Sequence, residues 1–486
     1  MELKVIEEAA PGASEVRRAY ERLRAAARRE PDPSLAARHD RLDRLITLVQ
    51  TNREAIAEAI SQDFGGRSRH ETLLADVFPT IDSARHARRQ LARWMKPRTV
   101  SPSWLFRPGR ARVQAQPLGV VGIVAPWNYP VNLALAPLAA ALAAGNRALV
   151  KPSELTPRTA ALLAQLVRQT FTPDEVAVVT GGPDVAREVT ELPLDHLLFT
   201  GSTRVGREVA RAAANNLTPV TLELGGKSPA LVHPDYPLAR AAERIAAGKL
   251  FNAGQTCIAP DYALVPAGSE EAFATHFRRA VHARYPLLAT NPDYSAIATT
   301  AGLERLRALV AEAAAKGARV ETILPGGPLD PSSRKLAPAL VFGADDSMRL
   351  LQEEIFGPLL PVIPYRTLDE AIAYVNGRAR PLAFYYFDSD AARARAVLRR
   401  TLSGGACVNE TLLHFVQENL PFGGVGESGS GAYHGRTGFE TFSHRRAVFV
   451  ASEASPTSKL LGAPYGKLLE RALDAVIGGR RRRPGE

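Results

Sequence analysis

The sequence of 486 residues holds two cysteines, Cys257 and Cys407, and a thiolate is the strongest side-chain nucleophile available near neutral pH. Cys257 closes the run Phe251-Asn252-Ala253-Gly254-Gln255-Thr256-Cys257, in which a helical pattern passes into a turn at Gly254. A turn of this kind can present a thiol to a cleft, although a lone cysteine is more often a small core residue. Cys407 fits that plainer reading, because Gly405-Ala406-Cys407-Val408 is an apolar, strand-like run with no base near it in sequence. Glu223, in Thr221-Leu222-Glu223-Leu224-Gly225-Gly226, ends a predicted strand. A strand glutamate usually faces water. At the end of a parallel strand, between two leucines, its pKa would instead rise towards that of a general base.

Several short motifs could hold phosphate. Gly226-Lys227-Ser228 imitates the end of a nucleotide-binding P-loop, but Thr221 stands where that loop needs glycine, so ATP is not implied. Gly424-Val425-Gly426-Glu427-Ser428-Gly429 satisfies a dinucleotide fingerprint, yet it lies in a Gly/Ser-rich loop that leads into no good helix. Thr200-Gly201-Ser202-Thr203-Arg204-Val205-Gly206 is better placed, between a strand and a helix whose first amides and Ser202 hydroxyl can meet a pyrophosphate. Lys151-Pro152-Ser153-Glu154 also joins a strand to a helix, and Glu154 could accept hydrogen bonds from ribose hydroxyls.

The elements that must position these residues follow from the apolar pattern. The first ~95 residues read as helices. Prolines 97, 102 and 108 then lead into a β-hairpin over about 96–115. After Pro117, strands are predicted at 120–125, 147–151, 176–180, 196–200 and 220–224, with helices at 131–143, 157–171, 184–190 and 203–215 between them. This alternation is that of a doubly wound, Rossmann-like parallel sheet. A second α/β set follows, with helices at 238–251, 270–283, 303–315, 368–375 and 391–401 and strands near Tyr262, Leu340, Pro361 and Phe384. We therefore expect one domain from 1–95 with 116–225, a second at 226–425, and a tail at 456–486.

Composition excludes other classes. With 45% hydrophobic and 23% charged residues the chain is an ordinary globular protein. Residues 1–8 lack the apolar core of a signal peptide, which predicts a cytoplasmic chain. The longest apolar stretch, 131–144, is shorter than the ~20 residues of a membrane span and reads as a buried helix. Two cysteines at this spacing predict neither a disulfide framework nor a metal site. The net charge of +11 invites a nucleic-acid reading, but most arginines are mixed with acids along amphipathic helices, which predicts a solvated surface and no nucleic-acid partner. The dense run at 480–483 reads as a disordered tail.

Taken together and in order, the motifs resemble the aldehyde dehydrogenase superfamily from about Arg38 to about Val450. The matching blocks are Pro126-Trp127-Asn128-Tyr129-Pro130, Lys151-Pro152-Ser153-Glu154, Gly201 to Gly206, Glu223-Leu224-Gly225-Gly226-Lys227, Gly254-Gln255-Thr256-Cys257, Glu353-Glu354-Ile355-Phe356-Gly357-Pro358 and Pro421-Phe422-Gly423-Gly424. Tyr433-His434-Gly435 and Ser443-His444-Arg445 resemble its class 3 branch. Within that branch, Arg67-Ser68-Arg69-His70-Glu71-Thr72 and Pro108-Gly109-Arg110-Ala111-Arg112-Val113 look most like coniferyl aldehyde dehydrogenases. Membrane-bound members of the branch carry an apolar tail; here the chain ends in arginines, so a soluble enzyme is expected.

The resemblance implies a Rossmann-like NAD(P)-binding domain, an α/β catalytic domain, and a small β oligomerisation element from 96–115 with 441–455. It makes Cys257 the nucleophile, Asn128 and the Cys257 N–H the oxyanion donors, and Glu223 the base that lets water release the acid from a thioester. For the cofactor it implies Lys151 and Glu154 at the adenosine ribose, Ser202 at the pyrophosphate and Glu354 with Phe356 at the nicotinamide riboside, with Trp127, Ser153, Gly201, Gly206 and Leu224 also among the cofactor-binding residues. Glu154 should repel a 2′-phosphate, so NAD is preferred over NADP, though enzymes of the branch use both. Tyr129 is expected in the wall of an apolar funnel for an aromatic or long-chain aldehyde, with coniferyl aldehyde the leading candidate and a homodimer the expected assembly. The alternatives are an acyl-transferring member that passes the thioester to CoA, or a silent basic scaffold that binds nucleic acid.

Overall fold

The structure, a computed structural model, describes residues 14–103, 106–453 and 462–478. The expectations for residues 1–8 and 480–483 lie outside these residues. Helices occupy the first part of the chain, from Glu15–Arg29 to Phe78–Trp94. Between Arg69–Thr72 and Phe78–Trp94 the helical ladder widens into a π-turn at Leu73–Val77, a distortion that often re-aims a functional side chain and here turns Asp76 inward.

The six-stranded sheet is ordered Gly429–Ser430, Val220–Leu224, His196–Gly201, Val120–Val124, Arg147–Lys151, Val176–Val178. All its pairs are parallel except that of Gly429–Ser430 with Val220–Leu224. The first strand in sequence, Val120–Val124, lies between the second, Arg147–Lys151, and the fourth, His196–Gly201, so the winding reverses there. A doubly wound sheet opens its ligand crevice at the carboxyl ends on either side of such a reversal. The buried stretch is a helix as expected: every residue of Asn132–Ala144 is buried, and Gly145 at φ +94° ends it.

The seven-stranded sheet runs Arg319–Thr322, Ala339–Phe342, Leu359–Tyr365, Tyr262–Pro266, Pro229–Val232, Ala383–Phe387, Gly405–Val408 and is parallel apart from its first pair. The pattern does not predict Pro229–Val232 or Arg319–Thr322. Pro229–Val232 has four residues and opens on proline, which a strand tolerates at its first position. Arg319–Thr322 is a polar edge strand with no apolar alternation to mark it. One apolar cluster runs from Leu42 and Leu91 through Leu138 to Val121 and Val150 in one sheet and to Ala230 and Val265 in the other, so both large sheets share a core.

The hairpin forms from Arg98–Val100 and Arg110–Pro117, and Ser443–Val450 joins it antiparallel, with Ser443 opposite Pro117 and Val450 opposite Arg110. That last strand begins earlier than its apolar half, near Ala447, suggests. Residues 456–486, expected as a tail, include the helix Lys467–Ile477. No helix among the described residues is long and apolar enough to cross a membrane.

Candidate active site

Each functional side chain hangs on an end of the scaffold. The strand Val120–Val124 runs out into Ala125-Pro126-Trp127-Asn128-Tyr129, and the helix Asn132–Ala144 begins beyond it. That helix has no cap of its own. Asp76, from the π-turn, supplies one by accepting hydrogen bonds from the amides of Val131 at 3.0 Å and Asn132 at 3.1 Å. Asn128 is buried, and its side-chain amide donates to the carbonyl of Gln255 at 3.1 Å. An amide nitrogen carries two hydrogens, so a second donor remains for a ligand.

The turn before Cys257 is unusual in its backbone. After the helix Leu238–Leu250, the residues Asn252 (φ +53°), Ala253 (φ +51°) and Gly254 (φ +76°) all adopt the left-handed region. Such residues persist only where neighbours over-determine them. Here Glu71 accepts the Asn252 amide at 2.9 Å, Asn252 Nδ2 donates to the carbonyls of Asn128 and Gln255 at 3.1 and 3.2 Å, and Gln255 Nε2 donates back to Asn252 O at 3.0 Å. Gly254 is needed twice over, since a Cβ there would also lie 2.3 Å from the carbonyl oxygen of Gly357. The product of this turn is a partly exposed Cys257 toward whose sulfur the amides of Cys257 and Ile258 are directed.

Glu223, at the end of Val220–Leu224, is 3% exposed and neither carboxylate oxygen has a hydrogen-bond partner among the described residues. Burial alone pushes its pKa well above the usual carboxylate range. Burial also pushes the Cys257 thiol up, and the charges of Glu354 and Glu223 add to the shift. The three groups therefore feel one another across one space. Glu354 reaches it over Gly225, where a Cβ would sit 1.9 Å from Glu354 Oε2, and accepts the Gly226 amide. Phe356 is held at φ +51° with its ring 5.4 Å from that of Trp127, edge to face.

Burial, followed by the charge of Asp261, raises the Glu354 carboxyl to about 8. A folded-state pKa above the unfolded ~4.3 means that the folded chain binds more protons, so stability falls as pH rises from about 4.3 to about 8. Glu354→Gln removes that dependence. Its gain in melting temperature over the parent should widen from about pH 5 to about pH 8 and stay level above, as melting curves at several pH values would record; a gain independent of pH would contradict the assignment.

The remaining expected residues lie around the winding reversal. Lys151, at the end of its strand, is buried and ion-paired with the exposed Glu154. Ser153 is buried and accepts the Leu155 amide at 3.2 Å. Ser202 caps the helix Thr203–Ala214 by accepting from Val205 N at 3.4 Å, and Gly201 precedes it at the strand end. Gly206 lies one turn inside that helix, where a Cβ would meet Leu224 at 2.6 Å, so its service is close helix-to-strand packing. Tyr129 is buried, shares a 2.5 Å hydrogen bond with Thr256 and stacks on Phe251 at 6.5 Å. The fingerprint-like run at 424–429 is a loop whose Gly429 pairs with Glu223, and Thr203 Oγ1 donates to Glu427 O at 3.1 Å.

Cys407 sits on the edge strand Gly405–Val408, half-buried. A Cβ on Gly405 would touch His414, a neighbour not visible from sequence, but burial lowers that imidazole to about 4 and leaves it uncharged. Sequence reasoning also gave no role to Lys227, which holds the carbonyls of Leu350 and Glu353 at 2.8 and 2.9 Å and so fixes the approach of Glu354.

The aldehyde dehydrogenase family profile matches residues 3–448. The chain belongs to the aldehyde dehydrogenase family. It is 48% identical over 452 residues to a probable coniferyl aldehyde dehydrogenase of Pseudomonas aeruginosa, covering 93% of this chain and 94% of the relative. It is 47% identical over 468 residues to the coniferyl aldehyde dehydrogenase of a Pseudomonas species, covering 96% and 97%. Among solved structures, the substrate-bound AldH of Staphylococcus aureus superposes with a TM-score of 0.89 at 34% identity, covering 96% of this chain and 100% of that one. An indole-3-acetaldehyde dehydrogenase of P. syringae in complex with NAD+ (TM-score 0.82, 25% identity, 90% and 89% covered) and an NADP complex of the glyceraldehyde-3-phosphate dehydrogenase of Bacillus halodurans (0.81, 26%, 90% and 91%) share the fold. This chain is thus an aldehyde dehydrogenase, an oxidoreductase.

Proposed function

We propose that this aldehyde dehydrogenase converts coniferyl aldehyde, or an aromatic aldehyde of similar size, to the free acid through a thioester on Cys257. The observation that carries the reading is the convergence of Cys257, Glu223 and Glu354 on one space, with the Asn128 amide tied to the same turn. The names of the two Pseudomonas relatives support the aldehyde.

The residues present fit a dinucleotide. The helix Thr203–Ala214 presents its N-terminus and Ser202 at the winding reversal, Glu154 is an exposed acceptor beside Lys151, and Glu354 lies against the Gly225 backbone. Lys151, Ser153 and Glu154 would hold the adenosine ribose, Gly201 and Ser202 the pyrophosphate, and Trp127, Leu224, Glu354 and Phe356 the nicotinamide end. Bound NAD(P) supplies one thing, a hydride acceptor. The exposed Glu154 favours NAD, because a 2′-phosphate would meet its charge.

Cys257 Sγ bonds to the aldehyde carbon, and the developing oxyanion receives hydrogen bonds from Asn128 Nδ2 and the Cys257 amide. After oxidation to the thioester, Glu223 takes a proton from the attacking water. The tetrahedral species then collapses, the acid leaves and the thiolate is restored. Tyr129 walls the funnel. Residues 1–95 with 116–225 act as the cofactor domain and 226–425 as the catalytic domain. The sheet of Arg98–Val100, Arg110–Pro117 and Ser443–Val450, with Phe449 and Val450 half-exposed, joins two copies into a homodimer in the cytoplasm.

A panel of aldehydes assayed with NAD and NADP, followed by absorbance of the reduced nicotinamide, tests the reading. The expected result is the highest kcat/KM for coniferyl or another aromatic aldehyde with NAD. A preference for short aliphatic aldehydes would overturn the substrate assignment. An acyl-CoA rather than a free acid, formed when CoA is added, would overturn the role of Glu223.

A further inference from the structure

The proposed mechanism uses nothing before Trp127, yet a fully buried ion pair near the site comes from the N-terminal helical region. The Arg67 and Asp76 side chains are both 0% exposed, with Arg67 Nη1 3.2 Å from Asp76 Oδ2. The same Nη1 donates to the main-chain carbonyl of Asn128 at 3.0 Å. The guanidinium carbon lies 4.9 Å from the ring centre of Tyr129 and 5.1 Å from that of Phe64. Nε and Nη2 have no hydrogen-bond partner among the described residues, so Asp76 and the faces of these rings together compensate the buried cation.

These contacts converge on one peptide. The Asn128 carbonyl accepts from Arg67 Nη1 and from Asn252 Nδ2, at 3.0 and 3.1 Å. Two donors on one carbonyl fix the plane of the 128–129 peptide and, with it, where the Asn128 side chain starts. Asp76 holds the far end of the same loop through the amides of Val131 and Asn132. Glu71, four residues after Arg67, holds the nucleophile's turn through the Asn252 amide and is itself held by Ser295 Oγ at 2.5 Å. The segment 67–76 therefore grips both walls of the oxyanion site from behind, without meeting the reacting atoms.

We propose that Arg67, seated on Asp76, is a positioning residue for the oxyanion site: it sets the Asn128 amide through the Asn128 carbonyl and the Tyr129 ring. The inference rests on the reading of Asn128 as an oxyanion donor. It gives the Arg67-to-Thr72 block a physical role in this chain. Oxyanion stabilisation depends on donor placement, and a misplacement of about 1 Å costs on the order of 100-fold in rate.

The test measures the pre-steady-state rate of NAD(P)H formation with an aromatic aldehyde, normalised to active sites counted by alkylation of Cys257. Arg67→Met should slow that step by about 100-fold, while KM and the affinity for NADH change by less than about threefold. Because this variant leaves Asp76 buried without its cation, it is paired with Arg67→Met/Asp76→Asn, in which the asparagine oxygen can still accept from Val131 and Asn132. The double variant should be equally slow. Arg67→Lys keeps the charge but presents no planar fork, and should recover part of the rate. Asn128→Ala separates the two ideas. If it is slow and the Arg67 variants, single and double, keep a normalised rate within about twofold of the parent, the positioning role is overturned. If Asn128→Ala is itself unimpaired, the donor assignment fails instead.

Discussion

Cys257→Ala abolishes NAD(P)H formation with every aldehyde, to at least about 1000-fold below the parent, and Cys407→Ala leaves most of it. The difference follows from where the two thiols sit. Cys257 emerges from a left-handed turn that Glu71, Asn252 and Gln255 hold in place, and two carboxylates act on its sulfur. Cys407 lies on an edge strand beside a neutral imidazole. Removing the Cys257 sulfur takes away the atom that the proposed mechanism joins to the acyl group, and alanine is smaller than cysteine. The variant should therefore keep its melting temperature and its affinity for NADH while losing turnover. Alkylation gives an independent check, since inactivation of the parent should track modification of Cys257 and be unaffected in rate by Cys407→Ala. Equal loss of activity from both substitutions would remove the case for Cys257.

The parts of this arrangement that were legible beforehand are those that sequence encodes locally. Val120–Val124, Arg147–Lys151 and Val220–Leu224 are short apolar runs closed by turn residues, and their alternation with helices dictates a parallel sheet whose carboxyl ends face one crevice. Glu223 was visible because a carboxylate between leucines at such an end is anomalous. Gly254 was visible because a helix must stop somewhere. Asp76 was not, because its value arises from a cap it gives to a helix more than 50 residues away, and no spacing rule reports a partner at that range. Arg67 belonged to a recognisable block, but the block says nothing of the Asn128 carbonyl or of the rings of Phe64 and Tyr129. The left-handed conformations of Asn252 and Ala253 were hidden for a related reason: neither residue prefers them, and contacts from Glu71 and Asn128 impose them. The run ending at Gly206 lies, as its pattern predicts, between strand and helix, but the closeness of Gly206 to Leu224 comes from the tertiary packing and no motif reports it.

Glu223→Gln is expected to leave one rapid equivalent of NAD(P)H per active site and then slow the steady state by about 100- to 10,000-fold. Glutamine keeps the volume and a hydrogen-bonding group but cannot accept the proton that water must lose. Among the described residues both Glu223 oxygens are without partners, and burial raises the carboxyl well above its ordinary range, so its oxygens are free to meet whatever enters the space beside Cys257. In the proposed mechanism the steps before the thioester rely on the sulfur, the Asn128 amide and the hydride acceptor, and these the substitution leaves in place. The sign of a secondary effect also follows. Glu223 raises the Cys257 thiol through its charge, so Glu223→Gln should let the thiol ionise at lower pH, and alkylation at a fixed mildly alkaline pH should be faster than in the parent. A nucleophile that needs no base, such as hydroxylamine, should restore turnover by carrying the acyl group away as a hydroxamate. Rescue by hydroxylamine together with the retained burst locates the defect after the hydride step. Loss of the burst would instead place Glu223 before that step, as the acceptor of the thiol proton, and the assignment of hydrolysis to this carboxylate would fall.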